Sequence, residues 1–284
     1  MVSPMNPRIL DATYRARAIP LGSVRHFSWL FAAPAARAPL LGIYALQAEW
    51  NALLDPRTEP SAAQIKLAWW QEEMRRLADA GPVHPISLYL AALPGAMPET
   101  FLPLVDAIDA AALEVSGAPL ERAADLAPHA QRLRANPLGV AADLSDRGVP
   151  PFTVDVEFQA CAAALAMGDY LGRALGEYRS EARAGRVPFV VEELMTTGID
   201  NAALAAEQPD PALSAYLASV RQRALEQYAL ASASLPARRR ATQRHLLVLA
   251  ALGAARLGRS PPRALGSLYL AWDTARRAAL SRTP

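Results

Sequence analysis

RHFSWLFAAPAARAPLLGIYALQAEWNALLDPRTEPSAAQIKLAWWQEEMRRL, residues 25–77, places its apolar side chains at helical rather than alternating spacing. Leu40, Leu41, Ile43, Tyr44, Leu46 and Trp50 form one wide apolar face of a helix predicted from about Ala36 to Leu54. DPRTEPS interrupts the pattern with Pro56 and Pro60. Ser61 opens the next helix, where Ile65, Trp69 and Leu77 recur near helical spacing while Leu67 and Trp70 broaden the stripe. A shorter helix, from about Ser23 to Phe31, precedes them and ends before Pro34.

The same period runs outward from this block. Residues 1–20 hold three prolines and little periodicity, and read as a loose leader to one helical domain over 21–284. Helices are expected at about 84–93, 98–115 and 119–135. PPFTVD, residues 150–155, then introduces a long helix from about Val154 to Ala184, which would extend ~45 Å. A short helix at 190–197 stops at Gly198, Pro211 opens one running to about Ser232, Ala237 opens another to Leu257, and a last one covers Arg263 to Leu280. No internal repeat, linker or compositional shift divides the chain. Alanine, leucine, arginine and glutamate dominate, all good helix formers, and β-branched residues never alternate. The fold class is all-α.

A chain of 284 residues, 52% hydrophobic and 20% charged, can bury a core without disulfides or structural metals. A net charge of +2 argues against a nucleic-acid partner. Lys66 is the only lysine, and the cluster Arg238, Arg239, Arg240 and Arg244 reads as a solvated helix start. The single cysteine, Cys161, lies in an apolar run and excludes an internal disulfide; His26, His84, His129 and His245 show no ligand spacing. The uncharged stretches fall short of the ~20 residues a membrane span needs. The expected location is the cytoplasm, with peripheral membrane contact open.

Particular residues go further. Phe27-Ser28, Pro34, Arg37, Gly42-Ile43-Tyr44-Ala45-Leu46 and Ile65-Lys66-Leu67-Ala68-Trp69-Trp70, followed by His84-Pro85, resemble the opening of squalene/phytoene synthase family proteins. GRVPFVVEELMTTGI, residues 185–199, is similar to the segment that follows that family's second aspartate motif. The resemblance covers residues 25–200. It implies an isoprenoid-synthase-type helical bundle around a central cavity, and an active member would be a transferase of isoprenoid biosynthesis. That reaction would join farnesyl or geranylgeranyl diphosphates, with Mg²⁺ neutralising the departing pyrophosphate through hard oxygen ligands. The family supplies those ligands from two aspartate motifs. Carboxylates at i and i+4 share a helix face, so one ion cluster meets both.

Both motifs are degraded here. In the first, Asn51 and Ala52 stand where the leading acids belong, and only Asp55 remains, before Pro56. In the second, YRSEARAGR (178–186) offers Arg179 for the motif's arginine, with Ser180 and Arg183 where acids are expected. Glu177 and Glu181, at i and i+4, are either a substitute carboxylate pair or surface partners of Arg173 and Arg183. Glu49 beside Trp50 resembles a branch of the family with lost aspartates, which includes the mitochondrial complex I assembly factor of this type. Tyr44, Trp69 and Trp70 read as packing or cavity residues and Asp106 and Asp109 as a solvated face, while of Glu72 and Glu73 at most one can face inward and the plainer reading is a charged exterior.

The expectation is a non-catalytic family member with a binding or assembly role, its partner a protein or an isoprenoid or lipid ligand, without a cofactor. The alternative is an active Mg²⁺-dependent head-to-head prenyltransferase using Glu49, Asp55, Glu177 and Glu181 as substitute ligands.

Overall fold

Aspartate and proline set many of the helix starts. Asp11, Asp155, Asp200 and Asp210 each accept a hydrogen bond from a backbone N–H of the helix that follows, and Pro34, Pro85 and Pro211 stand in first turns, where a missing N–H costs nothing. The computed structural model describes residues 10–55, 58–79, 81–146, 148–258 and 262–280. In chain order the helices are α1 (Ala12–Ala18), α2 (Val24–Leu30), α3 (Pro34–Leu53), α4 (Pro60–Ala78), α5 (Pro85–Ala91), α6 (Leu102–Val115) and α7 (Ala123–Ala130). There follow α8 (Asn136–Ser145), α9 (Val156–Arg183), α10 (Val191–Thr197), α11 (Asn201–Ala205), α12 (Pro211–Ser234), α13 (Arg244–Leu257) and α14 (Ala264–Leu280). No strand occurs among the described residues, as expected for the all-α class.

The 28-residue α9 is the spine. It packs most extensively against α12 and also meets α13, α7, α8 and α11, while α3 packs on α1 and α8 at the opposite side. Tyr228 of α12 explains the tight fit. An added Cβ at Gly253 of α13 would lie 2.4 Å from the Tyr228 ring, and one at Gly168 of α9 only 2.9 Å from it. The phenol thus occupies space that two missing side chains leave open.

Several expected boundaries shift for identifiable reasons. Within the stretch read as a loose leader, α1 forms because Asp11 caps it and Ala18, Leu10 and Ile19 are buried; residues 1–9 lie outside the described residues. The helix expected to end near 135 passes through a π-helical turn, Gln131–Ala135, into α8. Pro137 lacks the N–H that would close the regular ladder, and the Asn136 N–H reaches back five residues to Gln131 O. The helix expected from Ala237 is a 3₁₀ turn, Ala237–Arg239, and begins as α-helix only at Arg244.

Arg239 is fully buried, which corrects the expectation of a solvated basic cluster. Its guanidinium donates to Asp155 Oδ2 at 3.0 Å and Asp146 Oδ2 at 2.9 Å, joining the start of α9 to the end of α8. Of the pair Glu72 and Glu73, Glu72 is exposed, while Glu73 is the one that faces inward and is buried. Its Oε1 accepts from the Val83 and His84 N–H groups and so holds the turn into α5. Asp106 and Asp109 are exposed, as expected. No helix of the described residues is long and apolar enough to cross a membrane.

Gly253→Val should drive a methyl into the Tyr228 ring and cost about 1–3 kcal/mol, seen as a lower urea midpoint. Arg239→Ala should cost more, about 3–5 kcal/mol, because buried Asp146 loses its counter-charge and buried Asp155 keeps only Arg238.

Candidate functional site

Helices α1, α2, α3, α8, α9, α12 and α13, with the π-turn, line a cavity of about 1260 Å³. Two of the glycines beside Tyr228, Gly172 of α9 and Gly253 of α13, line it, as do Gly176 and Tyr228 itself. Leu138, Leu165 and Leu249 supply apolar wall. Seven arginines and four carboxylates also line it among the described residues.

The carboxylates are Asp55, Asp169, Glu177 and Glu181, so Asp55 of the segment read as the first motif and Glu177 and Glu181 of the segment read as the second line one space. Asn51 lines it as well. Glu49 does not appear on that wall; it pairs with Arg17 at 2.8 Å and ties α1 onto α3. Glu177, half-exposed, pairs with Arg173 Nη1 at 3.2 Å. Glu181 is buried and pairs with Arg186 rather than the expected Arg183, its Oε2 lying 2.5 Å from Arg186 Nε. Arg186 also donates through Nη2 to Leu54 O at 3.2 Å, clamping the end of α3 to the end of α9. Arg183 donates to Ala205 O, and Arg179 to Tyr178 Oη at 3.0 Å while its Nε has no partner. No group of three or more His, Cys, Asp or Glu side chains able to hold a metal ion occurs among the described residues.

Arg173 is shared. Its Nη2 donates to Glu114 Oε2 at 2.8 Å, and Glu114 Oε1 meets His129 Nε2 at 3.2 Å. Burial pushes the Glu114 carboxyl up, but the His129 hydrogen bond and the Arg173 and Arg134 charges outweigh it and hold the pKa at about 2. Sequence reasoning missed Glu114, His129 and Arg134, since nothing local distinguishes them from other helix charges.

Of the aromatic candidates, Tyr44 alone lines the cavity. Its hydroxyl pairs with Ser28 Oγ at 3.0 Å, and burial pushes its pKa up to about 12. Trp70 is buried between Trp50 and His84, and Trp69 stacks edge-on against Trp70 and His84 with 41% exposure, so both pack the α4–α5 junction instead.

The squalene/phytoene synthase family model matches residues 23–276. The chain belongs to the squalene/phytoene synthase family. A crystal structure of a dehydrosqualene synthase in complex with ligand is similar over 96% of this chain and 99% of that one, with a TM-score of 0.73 and 13% identity. The squalene synthase HpnC from Alicyclobacillus acidocaldarius is similar over 94% of this chain and 92% of its own, with a TM-score of 0.61 and 16% identity. These likenesses show the isoprenoid-synthase fold. No curated protein matches the sequence.

Glu114 provides a pH test of the site's scaffold. Its folded pKa is depressed from 4.5, so its contribution is present above that value and is lost as pH falls towards about 2. Glu114→Gln should remove roughly 3 kcal/mol at neutral pH and flatten the acid limb of the stability curve, measured by urea unfolding at stepped pH.

Proposed function

We propose that this squalene/phytoene synthase family protein does not carry out head-to-head prenyl transfer and uses its cavity as a binding site in a binding or assembly role. The observation that carries this reading is the state of the motif acids. Magnesium needs several hard, anionic oxygens at one place, whereas Glu177 and Glu181 are each already paired with an arginine. Asn51 offers the first motif an uncharged oxygen only. The donor set therefore fits a cluster of dications poorly. The arginines suit a different task, since a guanidinium recognises phosphate or carboxylate through paired donors without a metal.

The partner in this reading is an isoprenoid or lipid ligand bearing an anionic group, or a protein served by the same fold. The resemblance of the Glu49 segment to the branch with the complex I assembly factor supports the latter. A cytoplasmic location with peripheral membrane contact belongs to the reading too. The exposed stripe of Leu265, Leu268, Tyr269 and Trp272 on α14 favours such contact.

One observation favours the alternative, an active Mg²⁺-dependent prenyltransferase: four carboxylates do line a single cavity. In that case the arginine pairs would have to open when the metal arrives. Incubating the purified protein with radiolabelled farnesyl and geranylgeranyl diphosphate, with and without Mg²⁺ and NADPH, separates the two. The expected outcome is no pyrophosphate release above background from protein that circular dichroism shows to be folded. Metal-dependent release with a coupled hydrocarbon product would overturn the proposal.

A further inference from the structure

Arg134 is a buried cation with acidic neighbours, Glu114 and Asp169, but with open hydrogen-bond donors. Only 7% of its surface is exposed, yet its Nε and Nη2 have no hydrogen-bond partner. Asp169 Oδ2 stands 3.8 Å from Nε, too far for a hydrogen bond, on a side chain that is itself 58% exposed. Leaving donors of a buried cation unpaired is costly, more so than for a neutral group. An acceptor from outside the chain is one way such open donors are completed. Arg134 lines the cavity, so the missing acceptor has room to arrive.

Two further observations converge on the same spot. Arg134 stands in the π-helical turn Gln131–Ala135 between two prolines, Pro128 and Pro137. Such turns interrupt a regular ladder at a cost and cluster at functional sites. Arg25 of α2 lines the cavity too, with one hydrogen bond, from Nη2 to Gln47 Oε1 at 3.3 Å. Its pKa is lowered, first by burial and then by the charge of Arg134. Two guanidinium groups that repel one another beside a cavity are relieved by an anion between them. The surroundings are mixed: Tyr44 and Ser28 are committed to each other, while Leu138, Leu165 and Leu249 offer apolar wall.

We propose that Arg134 and Arg25 form a metal-independent oxyanion site inside the cavity, taking the phosphate or carboxylate of an amphiphile whose apolar part lies along Leu138, Leu165 and Leu249. The inference rests on reading the cavity as a binding chamber. It places the anion on the chain's own guanidinium groups, not on the remnants of the aspartate motifs. A plain hydrocarbon tail against Arg134 would leave its donors unpaired, so the ligand carries its polar head to this depth.

The test is calorimetric titration in EDTA with two probes, decyl phosphate below its micelle concentration and inorganic phosphate, on wild type, Arg134→Met and Arg25→Met. Decyl phosphate should bind wild type, and each variant should weaken it by about tenfold or more. Without probe, Arg134→Met should still fold, because relief of its unpaired donors offsets the loss of its charge beside Glu114 and Asp169. Inorganic phosphate binding as tightly as decyl phosphate would identify a free anion as the occupant; weaker binding would identify the amphiphile. Wild type that binds neither probe, or variants that bind decyl phosphate like wild type, would overturn the site. Should Arg134→Met fail to fold, unchanged affinity in Arg25→Met would do the same. Metal-dependent prenyl transfer by wild type would overturn the function proposed above while leaving this site standing.

Discussion

The ring of Tyr228 lies where Gly168 and Gly253 have no side chains, and three helices meet around it as a result. A single methyl at Gly253 would fall 2.4 Å from that ring, so the spacing of α9, α12 and α13 tolerates no larger residue without movement. This contact decides where the C-terminal half of α9 runs. It thereby decides where Asp169, Arg173, Glu177 and Glu181 project, and how wide the cavity is between α9 and α3. A phenol also leaves a hydroxyl at the wall of that cavity, which a purely aliphatic wedge would not.

Charge is distributed around this frame in pairs. Arg239 with Asp155 and Asp146, and Arg173 with Glu114, join elements that are distant in sequence, while Arg173 with Glu177 and Arg186 with Glu181 are local pairs. Buried pairs add little net stability against an apolar substitute, but removing one member is costly. They therefore act as constraints on which segments sit together. Arg186 is the clearest case, because it reaches both the end of α3 and Glu181. The places where the two degraded motifs would cooperate are thus held together by an arginine. Arg134 breaks the pattern, and that exception is what makes it informative.

The helical class and the family were legible because they depend on local signals: apolar residues at a period of 3.6, prolines and aspartates at helix starts, and the segments around Tyr44, Trp69-Trp70 and Gly185-Arg186. The reading of the motif positions rests on the same kind of signal, being a matter of which residue occupies a position. Helix α1 was missed because its anchor is tertiary: Ala18 and Ile19 are buried and Arg17 finds Glu49 on α3. The π-turn was missed because proline 137 ordinarily marks a helix end, and here the chain continues through it at the cost of one ladder bond.

Residue type and order were enough to read an all-α chain of this family, since those properties depend on neighbours along the chain. Which arginines neutralise Glu177 and Glu181, that Trp69 and Trp70 pack away from the cavity, and that Arg134 stands buried with open donors were decided only by the folded arrangement. Charge pairing and desolvation act through space over a few ångströms, and segments a hundred residues apart come within that range only once the helices have packed.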